Sequence, residues 1–219
     1  MTFPAWLRAV LPDGTAETWE QVRSVIPDCA YLVGGTAIAV HLRHRVSRDL
    51  DFFLAEDTDL EALRQQLEAI GRLAVTLHTD DTLNGLFDRT RIQFLSAVDQ
   101  RVLEPLAEVE GIRVAGIGDL LATKLKVVGD RSELRDFFDL KVIETEAGRL
   151  AEEGLGLFVR RYRPRDPDAA LRHLLLGLGY FEDVADDPFL PETREQILGY
   201  WQRRQPEIAR TLNRTGGLR

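Results

Sequence analysis

The chain has one cysteine, Cys29, and one methionine, at position 1. A lone thiol rules out a disulfide framework or a cysteine-based zinc site within one chain, and Cys29, just before an apolar run, reads as a buried structural thiol rather than a nucleophile. No stretch offers the roughly 18 apolar residues needed to span a bilayer. The start, MTFPAWLRAVLPDG, lacks a basic flank followed by a continuous apolar run, so no membrane association and a cytoplasmic location are expected. Basic residues are outnumbered: 28 Lys and Arg face 36 Asp and Glu, for a formal charge of −8. That balance argues against general affinity for nucleic acid, which comes mainly from neutralising phosphates. Internal repeats, low-complexity tracts and a strong linker are absent as well.

What is present is an ordinary globular composition, 44% hydrophobic and 29% charged over 219 residues. That length supports one large domain or a main domain with a helical annex. The chain is organised around Tyr31 to Phe53, YLVGGTAIAVHLRHRVSRDLDFF. It predicts a strand at Ala30 to Val33, a Gly34-Gly35 turn, a helix beginning at Thr36, and a second strand carrying Asp49 and Asp51. A pair of glycines lets the backbone come close to a ligand, and the following helix turns its free N–H groups toward the same place, which suits a phosphate. Asp49 and Asp51 are two apart on a strand and leave the same face, about 7 Å apart along it, while Leu50 and Phe52 face the core. Aspartate is depleted in strands and like charges on one face repel, so the pair reads either as a solvated edge strand or as a site for a hard cation. A phosphate cradle followed by paired carboxylates is what Mg²⁺-dependent phosphoryl or nucleotidyl transfer requires.

These residues resemble the polymerase beta-like nucleotidyltransferase superfamily, and HRVSRDLDFF is similar more narrowly to its AbiEii/AbiGii toxin branch, to which the MenT-type toxins are also similar. The resemblance implies an α/β (α+β) fold, a nucleotidyltransferase-like core with a mixed sheet and a helical C-terminal part. It implies that Asp49 and Asp51 hold Mg²⁺ and that Gly34, Gly35, Thr36, Arg45 and Ser47 hold the phosphates of a nucleoside triphosphate. Ser47 belongs to the active-site motif of that branch; read from the residues alone, its hydroxyl either bonds a phosphate or caps a turn. His41 and His44, three apart, read as structural or ligand-orienting rather than as a metal pair.

Further along, residues 59–70 predict a helix with Thr58 as its N-cap, Arg72 to His78 a strand, and Thr82 to Phe87 with Arg91 to Val98 a hairpin. Many superfamily members place a third carboxylate near this hairpin. Here Arg91, Gln93 and Leu95 share one face without an acid. A second stretch, IGDLLATKLKVVGDRSELRDFFDLKVI from Ile117 to Ile143, resembles the branch's second motif through Lys124, Arg131 and Arg135-Asp136-Phe137-Phe138-Asp139-Leu140. Asp136 and Asp139 are three apart and share a helix face, which alone is also the pattern of a salt-bridged surface helix. With both motifs present, Lys124 is the candidate cation on the triphosphate. Asp136 or Asp139 is the candidate missing acid, as general base or as the partner that fixes Lys124.

The expected organisation is a nucleotidyltransferase core over residues 1–115 with a helical lead-in, and a mainly helical part over 116–219 packed with it. Tyr180, Phe181 and Trp201 are expected to pack onto the core. RRYRPR at Arg160 to Arg165 and Arg203, Arg204, Arg210, Arg214 and Arg219 read as a solvated face or a local RNA footprint. The function implied is that of a toxin which transfers a nucleotide to the 3′ end of tRNA, with a cognate antitoxin as partner. The alternatives are a protein or small-molecule acceptor, or a nucleotide-binding regulatory protein without turnover.

Overall fold

The computed structural model describes residues 3–131 and 133–215. They fall into two compact units, one within Met1–Gln100 and Glu104–Gly116, the other within Arg101–Leu103 and Ile117–Arg219. No helix among the described residues is long and apolar enough to cross a membrane.

The first unit opens with two short helices, α1 (Ala5–Arg8) and α2 (Asp13–Val22), separated where Pro12 caps the second. Strand β1 (Ala30–Val33) leads into helix α3 (Gly34–Leu42), and β2 (Asp49–Leu54) follows. After α4 (Leu60–Ile70) come β3 (Leu73–His78), β4 (Thr82–Phe87) and β5 (Thr90–Ser96). A short hairpin, β6 (Ala107–Val109) and β7 (Ile112–Val114), completes a seven-stranded sheet of order β3-β4-β5-β2-β1-β7-β6. The sheet is mixed: β2 runs parallel to β5 and β1 parallel to β7, and its other pairings are antiparallel.

One face of the sheet is apolar because alternate residues of the strands are. Leu50, Phe52, Leu83, Phe87, Ile92 and Phe94 are all buried, and Phe52 stacks on Phe94 with ring centroids 5.1 Å apart. Helices α2 and α4 lie against these strands, bringing buried Trp19, Leu63 and Leu67. A leucine or phenylalanine side chain taken out of water in this way contributes about 1.5–3 kcal/mol. The opposite face of β2 carries Asp49 and Asp51.

The second unit is helical: α5 (Ile117–Asp130), α6 (Leu134–Glu146), α7 (Ala151–Tyr162), α8 (Pro167–Gly179) and α9 (Arg194–Thr215). Helix α5 is its centre, in contact with α6, α7 and α8. Gly154 of α7 allows the close approach, since a Cβ there would lie 2.5 Å from the Leu121 side chain. Trp201 of α9 is fully buried and donates its indole N–H to the Phe137 carbonyl at 2.9 Å, and Phe181 meets the Phe137 ring edge-on.

Several local expectations change. Helix α3 starts at Gly34 rather than Thr36, so both glycines lie in its first turn. Asp59, not Thr58, caps α4, accepting the Ala62 N–H at 2.9 Å, while the Thr58 hydroxyl lies 3.2 Å from the Cys29 sulfur. Cys29 is half-buried rather than buried. The β6–β7 hairpin adds two strands to those expected from the sequence. Its two-residue turn has Glu110 at φ 46° and Gly111 at φ 79°, the left-handed pair that a tight hairpin requires.

Candidate functional site

Gly34 has φ +71°, a conformation that costs any residue with a Cβ about 1–2 kcal/mol. A Cβ there would also stand 2.5 Å from Asp51 Oδ2. The absence of a side chain is thus what lets the first turn of α3 sit directly against the Asp51 carboxylate. Val33 pairs with Asp51 in the β1–β2 ladder, which sets the strand end and the carboxylate side by side. Gly35 is in the same situation with a cation: a Cβ would collide with the Arg45 guanidinium and lie 3.4 Å from Ser47 Oγ.

The loop between α3 and β2 is tied down by polar bonds. Thr36 Oγ1 is 2.8 Å from Ser47 Oγ and within bonding distance of the Asp49 carbonyl, and the Ser47 N–H donates to the Val10 carbonyl at 2.9 Å. Ser47 is buried and precedes β2 rather than extending it, and Thr36 is buried beside it. Arg43 makes the sharp exit from α3 with φ 54°, and its guanidinium lies 5.0 Å above the Trp6 ring. His41 bonds the Ala115 carbonyl through Nε2 at 2.8 Å, a structural role, and His44 lies beyond the end of α3, so the two imidazoles do not share a helix face.

Asp49 and Asp51 are both half-buried on the face of β2 opposite Leu50 and Phe52. In the parallel ladder with β5, Asp49 pairs with Arg91 and Asp51 with Gln93. The position beside each aspartate is therefore held by a cation and by a neutral amide. Among the described residues no third His, Cys, Asp or Glu completes a metal site. Two carboxylates suit Mg²⁺, which takes one or two protein oxygens and fills its remaining positions with water and substrate phosphates. The glycine turn packed against Asp51, with a guanidinium over it, fits that pairing of ion and phosphate.

The second unit holds a separate charged cluster. Lys124 Nζ of α5 lies 2.8 Å from Asp136 Oδ1 and 2.9 Å from Asp139 Oδ2, both on α6. All three side chains are buried, and Arg131 approaches Asp136 at 3.6 Å. The spacing of three on α6 brings both carboxylates to one ammonium. The cluster is thus an ion triad rather than a surface helix, with both carboxylates on the Lys124 ammonium.

The basic runs are partly absorbed by structure. Arg161 is fully buried and donates to Asp119 Oδ1 and to the Arg101 carbonyl, and Asp119 also accepts the Leu103 N–H at 3.1 Å. Burial raises the Asp119 carboxyl above its ordinary range against the pull of these partners. Arg204 is bound by Glu144 and Glu152. Arg160, Arg163, Arg165, Arg203, Arg210 and Arg214 are exposed. Arg219 lies outside the described residues. Asn84, which pairs with Gln93 from the far side, carried no sequence signal beyond being an amide in a strand, where asparagine is depleted.

The family model for the nucleotidyl transferase AbiEii toxin of type IV toxin–antitoxin systems matches residues 19–214. A curated relative, the uncharacterised protein aq_aa25 of Aquifex aeolicus (strain VF5), is 27% identical over 175 residues, covering 78% of this chain and 81% of the relative. Two solved structures share the fold. One, a crystal structure from H. pylori assigned to the nucleotidyltransferases, is 17% identical, with a TM-score of 0.59 over 93% of this chain and 98% of that one. The other, JHP933 from Helicobacter pylori, is 16% identical, with a TM-score of 0.55 over 98% and 97%.

Proposed function

Because this chain belongs to the AbiEii nucleotidyl transferase toxin family and is a nucleotidyltransferase, we propose that it transfers a nucleotide from a nucleoside triphosphate, with Mg²⁺, to the 3′ end of tRNA, as the toxin partner of a cognate antitoxin. The observation that carries the reading is the contact of Gly34 with Asp51 while Arg45 lies over Gly35. It joins a place for phosphate to a place for the ion that phosphate brings.

Each residue has a distinct task. The N–H groups of the first turn of α3 donate to phosphate oxygens, favoured by the positive end of the helix. Arg45 adds a cation at the same turn. The Thr36–Ser47 pair fixes the loop that carries Arg45 and delivers Asp49 and Asp51. The two carboxylates hold Mg²⁺, which when bound neutralises the charge that develops on the transferred phosphoryl group. Positioning and electrostatics carry this chemistry, so few side chains need to react themselves. The proposal extends to Lys124, Asp136 and Asp139 as the second functional cluster, the two carboxylates holding the ammonium in place.

The test incubates the protein with total bacterial RNA, Mg²⁺ and each labelled nucleoside triphosphate in turn, beside Asp49→Ala and Asp51→Ala. The expected result is label in tRNA-sized RNA, reduced at least about a hundredfold in either variant, since even partners behind a metal ligand are worth 10–100-fold. Label on protein would overturn the acceptor. Undiminished transfer by both variants would overturn the catalytic account.

A further inference from the structure

Resting on the transferase reading above, we propose that Gln93 binds the acceptor, held in place by Asn84, and that the group it receives is the vicinal diol of an RNA 3′-terminal ribose. The argument begins with direction. Asp51 has two strand neighbours: β1, whose end runs into the Gly34-Gly35 turn, and β5, which presents Gln93. The phosphate place is therefore on the β1 side. In phosphoryl transfer the attacking and leaving oxygens lie roughly in line across the transferred group. With pyrophosphate leaving on the side of the glycine turn, the acceptor arrives over β5 and β4.

That side carries an uncommon set of side chains. The residues of β4 and β5 that share the face of Asp49 and Asp51 are Thr82, Asn84, Leu86, Arg91, Gln93 and Leu95. Only Arg91 is charged, in a chain that is 29% charged overall. Their opposite neighbours Leu83, Ile92 and Phe94 supply the core, so the two amides are not there for packing. Gln93 stands one strand from Asp51 and Asn84 a second strand beyond, at about 4.8 Å per step. Asn84 Oδ1 is buried and accepts no hydrogen bond among the described residues. Asn84 and Gln93 are direct cross-strand partners, with Cβ atoms of such pairs about 4.5–5.5 Å apart. Donation of a Gln93 amide N–H to Asn84 Oδ1 on acceptor binding would satisfy that acceptor and would leave Gln93 with one carbonyl oxygen and one N–H for the ligand.

One acceptor and one donor side by side match a vicinal diol, in which one hydroxyl attacks and the other is held. A ribose terminus has this diol and a deoxyribose terminus does not. Arg91, the ladder partner of Asp49, supplies a single cation for the last phosphodiester, and the uncharged residues around it limit recognition to the end of the strand. The attacking hydroxyl oxygen bonds to the α-phosphorus as the bond to pyrophosphate breaks, and its proton passes to solvent water; Gln93 orients the hydroxyl without taking that proton, because a neutral amide is not a base at ordinary pH. Asn84 acts through Gln93 as a positioning residue.

The experiment compares two labelled RNA hairpins with the same single-stranded 3′ end, one finishing in ribose and one in 2′-deoxyribose. Each is titrated by fluorescence anisotropy into the full chain with Mg²⁺ and a non-hydrolysable nucleoside triphosphate analogue. The wild type is expected to prefer the ribose end about fivefold, the value of one net hydrogen bond. Gln93→Leu removes the preference, Asn84→Leu reduces it, and Gln93→Glu, which keeps the carbonyl oxygen, retains part of it. Gln93→Leu and Asn84→Leu leave the thermal stabilisation by the Mg²⁺–analogue mixture unchanged, which also reports that each is folded, whereas Gln93→Glu sets a third carboxylate beside Asp51 and is read for the ribose preference alone. A wild type without preference, a preference that survives Gln93→Leu, or absence of RNA binding overturns the acceptor assignment while nucleotide stabilisation stands. Absence of Asp49-dependent nucleotide stabilisation in the wild type instead removes the transferase reading beneath it.

Discussion

At the scale of single residues, Gly34 is the position where backbone conformation and chemistry coincide. It is left-handed and in contact with the Asp51 carboxylate, so a methyl group at that position is strained and also displaces the Asp51 Oδ2 oxygen. Gly34→Ala is therefore expected to lower stability by about 1–2 kcal/mol and nucleotidyl transfer by a larger factor than stability alone explains. Urea melts and transfer assays on one preparation check both. A variant with the stability loss and full activity would show that the close approach serves the fold only. Gly35 is a different case: its conformation is an ordinary one for any residue, and only the Arg45 guanidinium occupies the space a side chain would take. The Gly-Gly pair and the two aspartates were legible in the sequence because their chemistry is local, a turn and an alternation of period two. The partner of each was not. Arg91 and Gln93 are more than forty residues from Asp49 and Asp51 in the sequence, and only parallel pairing of β2 with β5 sets them alongside.

At the scale of elements, helices α5 and α6 are joined by a buried ion triad with two anions and one cation. Removing one partner of a buried pair leaves an uncompensated charge and costs about 3–5 kcal/mol. Lys124→Met is accordingly expected to destabilise by about that amount, and Lys124→Met combined with Asp136→Asn and Asp139→Asn by markedly less. Equilibrium denaturation of the single and triple variants decides the matter, and equal losses would contradict the triad account. The same pair of elements shows how far periodicity reaches. A spacing of three on α6 aligns Asp136 with Asp139 in any helix, but whether they meet solvent or an ammonium depends on where α5 lies.

Helix α9 is held to α6 by another polar arrangement. Burial and the hydrogen bond that the Tyr200 hydroxyl donates to the Glu144 carboxylate raise the phenol above its ordinary value of 10.0. The sign follows from linkage: the native state keeps this proton when the unfolded chain releases it, so the contribution is complete below about pH 10 and is lost as pH rises through the raised native value. The wild type is expected to lose melting temperature more steeply than Tyr200→Phe as pH rises from about 10 to 12. Parallel slopes would place the titration elsewhere.

At the scale of the whole molecule, the formal charge of −8 opposes long contacts with nucleic acid, and Arg161 and Arg204 within the basic runs are bound by internal acids. On the proposed acceptor, recognition of an RNA end by the protein would rest on few phosphates. Between about 50 and 200 mM salt its RNA affinity is expected to fall far less than the 10³–10⁵ of a protein with 6–10 phosphate contacts. A steep salt slope would point to an extended basic footprint instead.

What the sequence determined by itself was what short-range geometry can carry: the apolar alternation of β2, the glycine turn, the paired carboxylates, the helical period of the C-terminal part and, through two motifs, the family. Hydrophobic periodicity and φ restriction act within a few residues, so they are written into neighbouring letters. Only the tertiary structure decided which strand lies beside the aspartates, that Arg161 and Lys124 are buried in ion pairs rather than exposed, and that an amide row continues from Asp51 across two strands. Those outcomes depend on the pairing of segments far apart in the chain, where the free energy comes from burial and register shared among many residues and belongs to no single stretch.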